Sequence, residues 1–287
     1  MKTGYRILIV LCALLLAQGC SSRPRNRGET FDVRRQAESQ LQHGNRQADR
    51  GDHETALFLI DDAMRLAILA DDSGLRVRVG LSRGNVLSTL GYAEEAAGVR
   101  NAALAEALFS GNRELVALCR VHIARAEMLS LGSRDAARAV VDQVTREKAF
   151  LVNHMYVAFA WSLIGRAEGM LGRYAHAEVA VRHSLAIHER HRNLELAALD
   201  WFMIASFRSR AGDFDGARQA LETSILLDRR VENSWGLASS WRALGDVERR
   251  AGNRDAAGLA YTRAAEIFRA LGNDPAADDA LSRIEAR

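Results

Sequence analysis

The chain has 287 residues, of which 48% are hydrophobic and 26% charged, with a formal net charge of +3. That length allows one large or two ordinary domains. The 39 basic residues are scattered among 36 acidic ones, which excludes the basic stripe of a nucleic-acid-binding surface.

The N-terminus carries Lys2 and Arg6, then the apolar run Ile7–Leu16, then "AQGC". Basic start, short apolar core and small residues before a cut are the layout of a secretory signal over residues 1–19. Ten apolar residues fall short of the roughly 20 that span a bilayer. Cleavage after Gly19 would leave Cys20 first, and this resembles a bacterial lipobox, from which Ala17 and Gln18 depart. The resemblance implies lipidation at Cys20 and membrane attachment through that lipid. With Ser21 next, it implies the periplasmic face of an outer membrane; an inner membrane or plain secretion are the alternatives. Residues 20–36 read as lipidated cysteine and basic tether, with five arginines and two acids between Ser21 and Gln36. Loss of Lys2 and Arg6 with the signal lowers the formal charge to +1, so the precursor's basicity says little about partners. Cys12 leaves too, Cys20 takes lipid, and Cys119 alone cannot form an internal disulfide.

From residue 37 onward the apolar residues recur at three- and four-residue spacing, as in "ALFLIDDAMRLAILA" from Ala56, with no proline before Pro275. The expected fold class is all-α. Glycines at short breaks stand at 51, 91, 132, 172, 212 and 252, spaced by 40, 41, 40, 40 and 40 residues. Five residues after each comes an alanine, from Ala56 to Ala257. Seven before each stands a small residue, Gly44, Gly84, Gly165, Ala205 and Gly245, except in the third unit, which has Arg125. Trp161, Trp201 and Trp241 lie eleven before the last three glycines. Six phased units predict a superhelical solenoid of helix pairs over 37–273, since one pair cannot bury its own apolar face. Residues 274–287 predict a capping helix, with Asp274 as its N-cap and Pro275 in the first turn.

The segments "WSLIGRAEGMLGRYAHAEVA" (Trp161, Gly165, Gly172, Tyr174, Ala177) and "WRALGDVERRAGNRDAAGLAYTRAA" (Trp241, Gly245, Gly252, Ala257, Tyr261) resemble the tetratricopeptide repeat (TPR) family. The 40-residue unit exceeds the usual ~34, and the proline near the end of the family's unit is absent. The resemblance implies a binding scaffold, not an enzyme, that docks a protein or peptide in a groove lined by the first helix of each unit. In this register the middle of the groove receives Cys119, His122, Ile123 and Ala126, then Phe159, Ser162, Leu163 and Arg166, then Leu199, Phe202, Met203 and Ser206. The candidate partner-binding residues are therefore His122, Ile123, Phe159, Leu163, Arg166, Phe202 and Met203. The family's peptide-carboxylate clamp is not expected, because its basic and asparagine residues do not recur together in this register. The alternative function is carriage of a small apolar ligand in a tightly wound groove, and burial as ordinary core is the plain alternative for the apolar positions.

Three motifs lose their chemistry in this frame. "GLSRG" at 80–84 matches a hydrolase nucleophile elbow, but no strand pattern precedes Ser82. "RGD" at 50–52 falls on a turn. His176, His183, His188 and His191 cluster without a convincing third metal ligand. No catalytic group, cofactor site or metal site is expected.

Overall fold

The computed structural model describes residues 29–285. The expected signal segment, Cys20 and the first part of the tether lie outside the described residues. The described residues form thirteen α-helices and no strand. The first six are α1 Glu29–Asp49, α2 His53–Leu69, α3 Ser73–Thr89, α4 Ala93–Phe109, α5 Arg113–Leu131 and α6 Arg134–Glu147, the last followed by a 3-10 turn over Lys148–Phe150. Then come α7 His154–Met170, α8 Tyr174–Arg190, α9 Leu194–Ala211, α10 Phe214–Arg230, α11 Ser234–Arg250, α12 Arg254–Ala270 and α13 Asp274–Glu285. Each odd-numbered helix from α1 to α11 packs on the next to make six units, and α13 closes the far end against α12.

The 40-residue period is two 17-residue helices with a short turn after each, as in α7 and α8. The extra length over the usual repeat is therefore in the helices. The turn inside each unit contains the phased glycine, and all six have positive φ, from 57° at Gly132 to 88° at Gly252. An L side chain there would crowd the following carbonyl. The turn between units repeats the same left-handed step without a fixed residue type: Asp71, Gly111, Arg192, Glu232 and Gly272. Short polar caps follow these turns. Asp52 accepts from Thr55 N, Asp72 from Leu75 N and Ser133 from Ala136 N, satisfying helix N–H groups that lack an internal partner.

Two boundaries differ from the sequence expectation. Helix α1 starts at Glu29, inside the expected tether, because Val33 and Ala37 pack into the first apolar cluster. The cap of α13 is Asn273, whose side chain accepts from Ala276 N at 3.0 Å; Asp274 is already helical.

The small-residue column sets the distance between paired helices. A methyl group on Gly44 would sit 2.7 Å from Ile60 Cγ1, and one on Gly245 would sit 2.5 Å from the Tyr261 ring. The column nine after each turn glycine supplies the side chain that fills this contact: Ile60, Val141, Val181, Leu221 and Tyr261, with Arg100 in the second unit. Trp161, Trp201 and Trp241 are half-buried and carry cations on their faces, from Lys148, Arg182 and Arg263. Among the described residues, no helix is long and apolar enough to cross a membrane.

Candidate functional site

Residues about forty apart meet along the inner wall, because equivalent first helices stand side by side. Arg78 on α3 pairs with Glu38 on α1 at 3.0 Å. Arg125 on α5 donates to Asn85 Oδ1 on α3 at 3.1 Å. Ser162 on α7 donates to Met203 Sδ on α9 at 3.6 Å. The superhelix winds far enough to bring Arg46, Asp49 and Arg50, at the end of the first helix of the first unit, to one cavity with Glu195, Phe202 and Trp235 of the last two units; its volume is about 480 Å³. Burial, then Glu195, raises the Asp49 pKa. A second cavity of about 230 Å³ opens between α5, α7 and α9, with Arg125, Phe159, Ser162, Arg166, Leu199 and Asp200 in its lining.

The inner stripe is narrower than the register implies. Cys119, Leu163 and Met203 are core residues, at 0%, 1% and 6% exposure. His122, Ile123, Ala126, Phe159, Ser162, Phe202 and Ser206 are half-buried, while Leu199 and Arg166 are exposed. On α7 and α9 the positions thirteen, ten and six before the glycine form one stripe at three- and four-residue spacing. The ninth position lies a further 100° round and turns into the packing between helices. The structure thus keeps His122, Ile123, Phe159, Arg166 and Phe202 on the wall and assigns Met203 to the core. Leu163 is core packed, and only its edge reaches the second cavity.

His122 stacks on Phe159, with ring centroids 4.6 Å apart. Burial, then Arg125 and Arg100, push its pKa down to about 3, so the ring is neutral. Its Nδ1 is buried without a hydrogen-bond partner among the described residues. The other histidines disperse: His188 bonds to Asp200 at 2.7 Å, His183 stacks on Trp161, and His191 stacks on His154. Among the described residues no three His, Cys, Asp or Glu side chains gather as metal ligands. Burial pushes the Cys119 thiol up to about 12, leaving no thiolate for chemistry near neutral pH. Ser82 sits half-buried in the middle of α3, with helix on both sides.

Two arginines, Arg125 and Arg166, line the middle of the wall, and a third, Arg100, is buried between α3 and α4; the register singles out only Arg166. Arg100 is 5% exposed and donates to Gly84 O, Ala96 O and Ser88 Oγ, all neutral acceptors. Arg125 occupies the small-residue place of the third unit. Arg166 projects from α7. Asn85, Arg125 and Arg166 line the second cavity together, so basic and asparagine side chains do converge here, although the column-by-column reading kept them apart. Arg125 lies one column away from Asn85 and Arg166, which is why the columns separate what the fold joins.

Residues 195–270 match the tetratricopeptide repeat family model. No curated protein matches the sequence. Among solved structures, BtubC (BKLC) from P. vanneervenii superposes with a TM-score of 0.59 at 18% identity, over 82% of this chain and 92% of that one. A Rap protein complexed with Competence and Sporulation Factor gives 0.59 at 16% identity, over 87% and 75%. A signal-transduction ATPase with a tetratricopeptide repeat sensor, from Pyrococcus horikoshii, gives 0.54 at 12% identity, over 89% and 42%. At these identities the likeness is one of fold.

Proposed function

We propose that this tetratricopeptide-repeat chain is a docking scaffold, not an enzyme, that holds a protein or peptide partner on its inner wall. The carrying observation is the half-exposed aromatic and aliphatic stripe of Phe159, Leu199 and Phe202 on adjacent first helices. A surface of this kind suits the apolar face of a helix or an extended segment. The Rap complex with Competence and Sporulation Factor supports the reading by showing this fold accommodating a partner. Anchoring at the periplasmic face of an outer membrane belongs to the same proposal, and its support is the N-terminal sequence ending in Cys20.

Crosslinking in intact cells followed by affinity purification tests the docking. Phe159→Ala with Phe202→Ser should lose the recovered partner. Phe109→Ala, at a side chain 90% exposed on a second helix, should keep it. Each half-buried phenylalanine should cost well under the 3–5 kcal/mol of a fully buried one. A collapse in melting temperature with the double variant would instead make these residues core. For the anchor, Cys20→Ser should move the protein from the membrane to the soluble periplasmic fraction; unchanged membrane fractionation sinks that part.

A cavity of about 750 Å³ between α4 and the second half of α5, with Ile123, Ala126, Leu129 and Leu131 in its lining, favours one second reading, carriage of a small apolar molecule. A stoichiometric lipidic compound in an organic extract of the purified protein would support it over peptide docking.

A further inference from the structure

The two edges of the solenoid differ. First helices run from one edge to the other and second helices return, so the phased glycines lie at one edge and the turns between units at the opposite one. Two contacts fix which edge the chain enters by. Arg34, near the start of α1, pairs at 2.6 Å with Asp72, in the turn after α2. Glu114, in the first turn of α5, accepts from the backbone N–H groups of Val152 and Asn153, in the turn after α6. The start of α1 therefore lies at the edge of the inter-unit turns, and the chain from Cys20 leads into that edge.

This edge has a column of its own. Seventeen and eighteen residues after the turn glycine, the first three units place Ile68 and Leu69, Leu108 and Phe109, then Ala149 and Phe150. The last three units place Glu189 and Arg190, Arg229 and Arg230, then Arg269 and Ala270. Val152, two residues past Phe150, extends the apolar half. Apart from Ala149, the large apolar side chains of this half are between 41% and 90% exposed. The charged half shows that the fold accepts polar residues at these places, so packing does not demand the apolar ones. A contiguous exposed apolar surface marks something that the molecule meets. Cations flank it. Arg113 lies over the Phe150 ring, 4.8 Å from its centroid, and Arg146 stands in the last turn of α6. Among the described residues neither has a carboxylate partner. The acids nearby are neutralised: Asp71 and Glu106 pair with Arg76, Asp72 with Arg34, and Glu147 with Arg120. Aromatic and aliphatic side chains beside unpaired arginines are the composition that settles into the interface of a bilayer containing anionic lipid.

We propose that this edge, from Ile68 and Leu69 through Leu108 and Phe109 to Phe150 and Val152, is a lipid-facing surface that rests on the bilayer holding the Cys20 lipid. This rests on the lipid-anchor part of the reading above. Cys20 is nine residues from Glu29, the first residue of α1. Nine residues reach at most about 30 Å, so a lipid on Cys20 keeps this edge, and not the glycine edge, beside the headgroups. A single attachment leaves the solenoid free to tumble, whereas lipid and edge together fix its orientation. The first helices then stand upright on the membrane, and the inner wall opens sideways to a partner instead of being covered.

The test uses the mature, lipidated protein in vesicles of phosphatidylethanolamine and phosphatidylglycerol, with an NBD fluorophore on one introduced cysteine at a time. Cys20 carries lipid and Cys119 is buried, so the new cysteine alone reacts. Leu69→Cys, Phe109→Cys and Val152→Cys should each show blue-shifted emission, and doxyl-labelled lipid should quench it about twofold or more, as interfacial burial requires. Arg230→Cys, in the charged half, and Tyr92→Cys, an exposed aromatic place at the glycine edge, should show neither change. With Ile68→Ser, Leu69→Ser, Phe150→Ser and Val152→Ser added, the label at 109 should lose most of its quenching while the protein still floats with the vesicles. Those four side chains are exposed, so the melting temperature should hold. Vesicle-bound protein without quenching at 69, 109 and 152, with equal quenching at 92 and 230, or with undiminished quenching in the serine variant overturns the lipid-facing edge and leaves the anchor standing. A blue shift at 109 without quenching means that a second copy or another protein covers the edge, and overturns it as well. Absence of acyl mass on Cys20 in protein purified from cells overturns the anchor, and this edge with it.

Discussion

Gly165→Leu should lower the unfolding free energy by about 3 kcal/mol, at the upper end of ordinary overpacking. Gly165 lies mid-helix on α7, where leucine is the better helix former by several tenths of a kcal/mol, so propensity alone predicts a gain. Packing reverses the sign. A Cβ there would run into Val181 Cγ2 and lie 3.0 Å from the carbonyl oxygen of Ala177, which belongs to the α8 backbone and cannot rotate away. The two helices must separate, and the shared core between the third and fifth units opens with them. Gly84 is the milder case, since a Cβ there would stand 2.9 Å from Arg100 Cγ and 3.3 Å from the carbonyl oxygen of Ala96, both longer than the corresponding contacts at Gly165. Gly98 is the control, being helical on α4 with nothing within 4 Å of where a methyl group would stand; Gly98→Ala should gain up to about 1 kcal/mol. Urea denaturation of the three variants checks the ordering. Equal stabilities at 165 and 98 would mean that the small-residue column does not set the spacing between helices.

The order of these effects follows from what a single sequence exposes. The six turns inside the units were legible because positive φ selects glycine, and the selection repeats at a fixed interval. The turns between units use the same backbone step, yet Asp71, Arg192 and Glu232 occupy three of them, so no residue type marks the rhythm. The extent of α1 was hidden because "ETFDVRRQ" is polar by composition, and only its packing shows that Val33 faces the core. The inner stripe was legible to within one position. The choice between wall and core for Leu163 or Met203 depends on a rotation of about 100°, which neighbouring helices fix and local spacing does not. Arg100 and Arg125 were hidden for another reason. Each reads as one irregularity in its own column, and only the fold brings Arg125 to one cavity with Arg100 and to another with Arg166.

Asp228→Asn should stabilise the protein by up to about 3 kcal/mol above pH 6 and by almost nothing below pH 4. Asp228 ends the last turn of α10 and is 3% exposed. Forty residues earlier the same two places hold His188 and Asp200, bonded at 2.7 Å. In the later pair Asp228 stands where the histidine was and Ser240 where the carboxylate was, so the carboxylate has no cation opposite it. Burial is the main cause that pushes its pKa up to about 6; Glu195 adds to it, and hydrogen bonds from Asn233, Ser240 and Ser224 oppose it. Arg46, Arg50 and Arg242, with Asp49 and Glu232, line the cavity beside it without forming an ion pair to it. The folded state therefore holds this proton more tightly than the unfolded chain, whose ordinary value is near 3.8. A raised carboxyl pKa contributes stability that is complete below the unfolded value and is lost as pH rises towards the folded one, at about 1.4 kcal/mol per unit. The loss thus falls between about pH 4 and 6. Asparagine never ionises; its oxygen can still accept from Asn233, and its amide can donate towards Ser240. Glu178 and Glu248 act with the opposite sign, since their arginine partners lower their pKa values and their stabilisation is lost in acid. For this reason the quantity to read is the difference between variant and parent, in which those groups cancel. Urea titrations of both proteins at half-unit steps from pH 3.5 to 8 should show the gap opening between pH 4 and 6 and then staying level. A constant gap at all pH values would mean that folding leaves the Asp228 pKa at its unfolded value, and a gap that closes as pH rises would mean that the fold lowers it.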